Sequence, residues 1–148
     1  MDEPKTFQMN NHPIQLKSLN VKELSITTMS FPDDIPEYET IDYEIGIGVS
    51  HFDKKSSFIK VGMSLRIGCE DNPITYPFKI KVELIGLFFV DQLNFDFNNV
   101  EDWANKSAPF ILFPYLREHV YTLSVRAGIK PIILPLIEVP VFKLNKQV

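Results

Sequence analysis

The segment from Phe78 to Val90 limits the possible folds more than any other part of the chain. It begins by alternating, with Phe78, Ile80, Val82 and Leu84 set against Lys79, Lys81 and Glu83. A two-residue period of this kind is that of a strand with one buried face. From Ile85 onward almost every side chain is apolar: Ile85, Leu87, Phe88, Phe89 and Val90. That end of the strand must be covered on both faces. One sheet with one helix would leave a face in water, so a crossover loop, a second subunit or a ligand has to lie there.

Three earlier runs share the period. From Ile14 to Thr28 the apolar pairs Ile14/Leu16, Leu19/Val21 and Leu24/Ile26 each keep it, but the phase slips between pairs, which predicts a long strand with bulges. Ile41, Tyr43, Ile45, Ile47 and Val49 alternate with polar residues and glycines. Ile59, Val61, Met63, Leu65, Ile67 and Cys69 do the same, and the short polar loop at Asp53-Lys54-Lys55-Ser56 predicts an antiparallel hairpin between the two. Pro73 and Pro77 bracket the next turn.

One helix follows. Ser107 is the expected N-cap with Pro109 in the first turn, and Leu112, Leu116, Val120, Leu123 and Ala127 recur at helical spacing up to Gly128. Pro114 predicts either a kink or the true start of the helix. Beyond it, Pro131 and Pro135 forbid a central strand and predict an apolar extended strap. Four strands, a helix and a strap make an α+β fold, expected as one domain over residues 1–148.

Composition removes several function classes. Hydrophobic residues make up 45% of the 148, enough for a real core, and the net charge is −4 with Lys and Arg scattered, which argues against nucleic acid. The one cysteine, Cys69, reads as a small core residue with no zinc-site companions. Residues 1–11 lack the pattern of a signal peptide, and no apolar run approaches the ~20 residues of a membrane helix, so a cytoplasmic protein without membrane insertion is expected. His12, His51 and His119 are widely separated, and there is no phosphate loop or nucleophile elbow. No enzyme, cofactor or metal is expected.

The block Ile111-Leu112-Phe113-Pro114-Tyr115-Leu116-Arg117-Glu118 resembles the I-L-F-P-Y-x-R-E that starts the main helix in the SecB family of export chaperones. Gly128, Pro131 and the Leu-Pro-Leu-Ile at 134–137 are similar to the stretch that follows it. Val21-Lys22-Glu23-Leu24-Ser25-Ile26 is similar to V-K-D-L-S-F, and Gly86-Leu87-Phe88 to G-I-F. The resemblance implies a four-stranded antiparallel sheet, and protomers pairing through the first strand and the long helix into a dimer of dimers. Leu19, Val21, Leu116, Val120 and Leu123 are the expected interface. It also implies apolar grooves that hold unfolded or precursor polypeptides without ATP. Glu23 matches an acidic position through which export members dock the SecA motor, whereas Thr27 and Lys81 stand where two others are usually Glu. The family's C-terminal amphipathic helix is expected to be short or absent, given the sequence from Glu138 onward.

The expected groove residues are Phe88, Phe89, Phe95, Phe97, Trp103, Phe110, Ile132 and Leu134. Phe95, Phe97 and Trp103 alternate with Asn and Asp, a mixture that suits a groove wall in a crossover loop. With 12 phenylalanines in a small domain, ordinary core packing is the competing reading for each. Two other functions compete with a general holdase: a dedicated chaperone for one partner such as an antitoxin, and a small-molecule-binding domain using the same cleft.

Overall fold

A computed structural model describes residues 2–6, 8–69 and 76–137. The elements are β1 (Ile14–Thr28), β2 (Glu44–Val49), β3 (Phe58–Ile67), β4 (Phe78–Val90), α1 (Val100–Lys106) and α2 (Ala108–Arg126), with short 3-10 turns at Pro32–Asp34 and Phe97–Asn99. The four strands form one antiparallel sheet in the order β1-β4-β3-β2. The C-terminal expectation and the turn at Pro73 lie outside the described residues.

The two slips of apolar phase in β1 are register shifts against β4. They fall between Leu16 and Ser18 and between Val21 and Glu23, so the extra residues are Lys17 and Lys22. Each bulge restores the apolar side chains to the inner face after an odd step. In β4 the alternation is complete: Phe78, Ile80, Val82, Leu84, Gly86, Phe88 and Val90 are buried, and the residues between them are half-buried. The inner face is the one covered by α2. The outer face carries Lys79, Lys81 and Glu83 and then Ile85, Leu87 and Phe89, so the apolar end foreseen in the sequence divides between two faces of the sheet.

The hairpin between β2 and β3 forms as its polar loop predicts. Ser50 N–H donates to Lys60 O at 3.0 Å, and the Asp53 carboxylate accepts from Lys55 N–H at 3.0 Å and the Ser56 hydroxyl at 2.8 Å. The Ser56 hydroxyl first, and then the Lys55 N–H, hold the Asp53 carboxyl below its ordinary range. β2 is shorter than its alternation suggests. Ile41 and Tyr43 are half-buried but outside the ladder, and Asp42 N–H donates instead to Tyr76 Oη at 2.9 Å.

Because β1 neighbours β4 and β2 lies at the opposite edge, residues 29–43 must cross the sheet. This is the crossover connection. The segment holding Phe95, Phe97 and Trp103 is instead the link from β4 into α1, and Trp103 itself is helical. The sequence reading missed α1, whose polar composition hides a small apolar face of Val100, Trp103 and Ala104. Glu101 and Asp102 in its first turn and Lys106 in its last suit the helix dipole.

Helix α2 begins after Ser107, which supplies no side-chain cap, and has Pro109 in its first turn. Pro114 lies inside the helix, where it removes one backbone donor and bends the rod without ending it. Leu112, Leu116 and Val120 are fully buried against the sheet. Burial of each contributes roughly 1.5–3 kcal/mol. Gly128, at φ 77°, ends the helix in the left-handed conformation that glycine adopts without cost.

The helix packs tightly on the sheet at Gly86. A Cβ there would lie 3.0 Å from Leu112 Cδ2, 3.0 Å from Phe88 Cε2 and 3.2 Å from Leu16 Cδ1. Gly86→Ala is expected to destabilise the protein by about 1–3 kcal/mol through overpacking. Gly48→Ala, where a Cβ meets nothing within 4 Å, is expected to stay within about 0.5 kcal/mol of the parent. Denaturant midpoints of the two variants check the pair.

Candidate functional site

The crossover and the strap meet over the Phe78 end of the sheet. Tyr76, Phe78 and Tyr38 make the floor: Tyr76 stacks on Phe78 at 5.4 Å between ring centroids, and Tyr38 stands edge-on to Tyr76 at 5.0 Å. Pro32, early in the crossover, lies over the end of α2, its Cγ 3.4 Å from where a Cβ on Gly128 would sit. Beyond Gly128 the chain reverses and runs back along α2 as an extended strap.

Hydrogen bonds to α2 fasten the strap, beginning with Ile129 N–H to Ser124 O at 3.2 Å. The fully buried Ser124 hydroxyl donates to Tyr121 O at 2.7 Å and accepts from Ile132 N–H at 2.9 Å, and Arg117 Nε donates to Leu134 O at 3.1 Å. Alternation then follows from extended backbone. Ile132 and Leu134 point inward and are buried with Ile133 between them 72% exposed, and the alternation lapses after Pro135, where Leu136 is 82% exposed. Between strap and crossover lies a cleft of about 440 Å³ counting its open mouth, lined by Ile35, Tyr38, Ile41, Phe78, Ile129 and Ile132. Lys130 Nζ stands 3.7 Å from Glu37 Oε2 across it, linking the two walls.

Apolar side chains are exposed beyond this cleft as well. Met29 and Phe31 project from the crossover, with Phe31 81% exposed. Ile111, Tyr115, Tyr121 and Val125 form a second stripe on α2, opposite the stripe that packs on the sheet. A shallower depression of Pro114, Arg117, Tyr121 and Ile133 joins helix to strap. Val21 and Leu24 are exposed on the inner face of β1.

The groove residues expected from sequence scatter in this frame. Phe88, Ile132 and Leu134 are buried in the protomer, Ile132 in the wall of the cleft and Leu134 beneath the depression between helix and strap. Phe89 is half-buried on the outer face, so it and Phe88 look to opposite sides of the sheet. Phe95 and Trp103 are half-buried against the core. Trp103 meets Phe88 edge-on at 5.3 Å and the His12 ring at 5.8 Å. Phe97 is exposed, with Lys54 Nζ 3.8 Å above its ring, and Phe110 is half-buried. Of the expected interface residues, Leu116, Val120 and Leu123 pack into the protomer, Leu19 is half-buried and Val21 is exposed. The reason is common to both groups. The strongest periodic apolar stripe is the one that packs on the protomer's own sheet, and the free surface lies in the weaker pattern beside it. Glu23 is exposed on the outer face opposite Glu83 of β4, and Lys81 lies on the same face opposite Ser25. Sequence reasoning passed over Phe31, Tyr38 and Ile133, and the proline-rich flanks of all three were the available signal.

Among the described residues no group of His, Cys, Asp and Glu is placed to hold a metal, and no helix is long and apolar enough to cross a membrane. The other perturbed carboxyl, Glu101 on α1, ties that helix to the end of β2. It accepts from Phe52 N–H at 3.2 Å and lies 3.3 Å from His51 Nδ1. The Phe52 N–H first, and then His51, hold its carboxyl below the usual range.

Two measurements probe these tethers. Ser124→Ala leaves the Ile132 N–H buried without an acceptor and is expected to cost about 1–3 kcal/mol, read as faster proteolysis within residues 128–137. A depressed carboxyl stabilises the fold above its ordinary value, and that contribution disappears as pH falls through the lowered one. The α1 tether is therefore expected to loosen only in acid, in a Trp103 fluorescence transition that Glu101→Gln abolishes.

Comparison with known proteins agrees with this architecture. The family model described as "SecB: Preprotein translocase subunit SecB" matches residues 7–144. The "Protein-export protein SecB" of Dechloromonas aromatica is 27% identical over 129 residues, covering 86% of this chain and 83% of that one. A SecB-like chaperone of Mycobacterium tuberculosis, solved in complex with a ChAD peptide from the HigA1 antitoxin, superposes with a TM-score of 0.68. It is 19% identical and covers 87% of this chain and 94% of that one. With the family model spanning residues 7–144, the chain belongs to the SecB family.

Proposed function

We propose that this protein is an ATP-independent holdase, which shields unfolded or precursor polypeptides on their way to export and catalyses no covalent step. The observation that carries this reading is the cleft between crossover and strap, with Ile133 in solvent on its wall and Phe31 and Leu136 exposed elsewhere on the two segments that form it. A folded monomer rarely leaves such side chains in water without a use for them. Burial of ~1,000 Å² of client surface yields roughly 25 kcal/mol gross. Ordering the client offsets most of it, so each site binds weakly and reversibly.

Assembly multiplies the sites. The second stripe of α2, with Ile111, Tyr115, Tyr121 and Val125, and the edge strand β1 with Val21 and Leu24, are the surfaces we assign to a dimer of dimers. A helix apolar on two sides is normally covered on both. Several clefts on one particle then raise the effective concentration of binding sites along a long client. SecA docking would use the outer face of the sheet, where Glu23 offers an acidic contact and Lys81 opposes one. That opposition favours a second reading, a chaperone devoted to one partner. The antitoxin peptide held by the M. tuberculosis relative is an example of such a client.

Light scattering of a reduced, aggregating client tests the holdase. The parent is expected to suppress aggregation near equimolar ratio, and the pair Phe31→Asp with Ile133→Asp to lose most of that effect while keeping the parent circular dichroism. No suppression by the parent rejects the reading, and full suppression by the variant rejects the cleft. A solution mass of four times 17.1 kDa is expected for the particle, falling to that of a dimer on Tyr121→Asp.

A further inference from the structure

The apolar end of β4 needs cover on both faces, and the protomer completes that cover on the inner face alone. On the outer face Ile85, Leu87 and Phe89 run in line toward Val90 and are only half-buried. Phe58 of β3, also half-buried, stands edge-on to Phe89 at 5.6 Å between ring centroids and widens the strip. Beside Ile85 the register places Gly62 of β3 and then Gly48 of β2. A Cβ on Gly48 would meet nothing within 4 Å, and one on Gly62 only backbone oxygens at 3.8 and 3.9 Å. The strip therefore borders a shelf without side chains. The surfaces assigned to assembly, the edge of β1 and the second stripe of α2, do not include it.

Lysines ring the strip. Lys17, at the first bulge of β1, holds its Nζ 5.8 Å over the Phe89 ring. Lys60 lies opposite Leu87 on β3. Lys54 and Lys55 stand in the hairpin loop, which Asp53 closes by bridging to Phe58. All four are exposed, and among the described residues none has a carboxylate partner. The acids of the two adjoining loops are engaged in their own turns. Asp53 accepts from Lys55 N–H and the Ser56 hydroxyl, and Asp91 from Leu93 N–H and the Asn94 amide. The Phe78 end of the same face is different, for there Lys22 pairs with Glu83 at 3.5 Å and Glu44 lies opposite Arg66.

We propose that the outer face of the sheet at the Val90 end docks an acidic segment of a partner protein, one that carries an apolar anchor between its carboxylates. The anchor rests on Leu87 and Phe89, and the carboxylates reach Lys17 on one side and Lys60 on the other. Strands β1 and β3 flank β4, so these two lysines rise from backbones about 10 Å apart. Apolar contact at the centre supplies affinity, and the lysine rim selects and orients the partner. Other anionic partners fit this face less well. A bilayer is held by apolar side chains that protrude into it, and these are half-buried in a flat sheet. Nucleic acid is held by a longer basic track than four lysines on a chain of net charge −4. The site is separate from the cleft between crossover and strap and does not depend on the holdase reading.

Fluorescence anisotropy on the full-length protein tests the proposal, with a labelled peptide that repeats Glu-Glu-Leu-Phe and a twin in which lysine replaces glutamate. The acidic peptide is expected to bind, and to bind less tightly as salt rises. The pair Lys17→Glu with Lys60→Glu, both at exposed positions, is expected to weaken it by about tenfold with the parent circular dichroism and full suppression of client aggregation. Arg66→Glu, at the other end of the face, and the cleft pair Phe31→Asp with Ile133→Asp are expected to bind it as the parent does. No binding by the parent, equal binding of the lysine twin, or binding that survives the lysine pair overturns the proposal. Loss of the peptide in the cleft pair, or loss of aggregation suppression in the lysine pair, overturns the separation of the two sites. Vesicles of phosphatidylglycerol or single-stranded DNA held more tightly through the same lysines overturn the choice of partner.

Discussion

The contact between α2 and the inner face of β4 is the one on which the other features depend. Gly86 lets Leu112 settle close to the sheet, and Leu116 and Val120 extend the seam toward β3. Once the helix lies there, its end fixes where Gly128 reverses the chain, and the reversal places Ser124 beside Ile132. The strap is then held by a buried hydroxyl and by Arg117, both borne on the helix. The crossover closes from the other side, resting on Tyr76 and Phe78. The cleft exists because two irregular segments approach one regular scaffold from opposite directions, and neither has the backbone pairing to join the other.

Much of the scaffold is legible in the sequence. The slipped phase in β1 marks both bulges, because inner-face burial forces an extra residue wherever the apolar period breaks. The hairpin loop, the helix with its internal proline and the strap could all be placed from period and punctuation. The functional surface is less legible for a physical reason. An apolar residue in a period of two or 3.6 is usually paired with the protein's own core, as Phe88, Leu116 and Val120 are. Surface meant for another chain has no internal partner and therefore leaves no internal period. Phe31 sits beside Pro32 and Ile133 between Pro131 and Pro135, in segments too short and irregular for their exposure to be read as a strand or helix period.

Charge is arranged with the same economy. The perturbed carboxyls, Asp53 and Glu101, are both bound to backbone N–H groups at the ends of elements, where they fix a turn and anchor a short helix. Glu101 also meets the His51 ring, an exposed pair at the surface. The outer face of the sheet mixes Glu23 and Glu83 with Lys81 and Lys79, with Lys22 3.5 Å from Glu83. A face of mixed sign discriminates among docking partners by geometry more than by net attraction.

The strand order carries a consequence for the birth of the molecule. Ile14 pairs with Val90, and every rung of β1 waits for β4. The meander of β2, β3 and β4 closes through near neighbours in the chain, whereas β1 leaves the ribosome first and has no partner until the last strand has been translated. Non-local pairing of this kind is slow. A protein proposed to shield unfolded chains thus spends its own synthesis with its longest strand unsheltered, a strand whose apolar period is broken by a lysine at each of its two bulges.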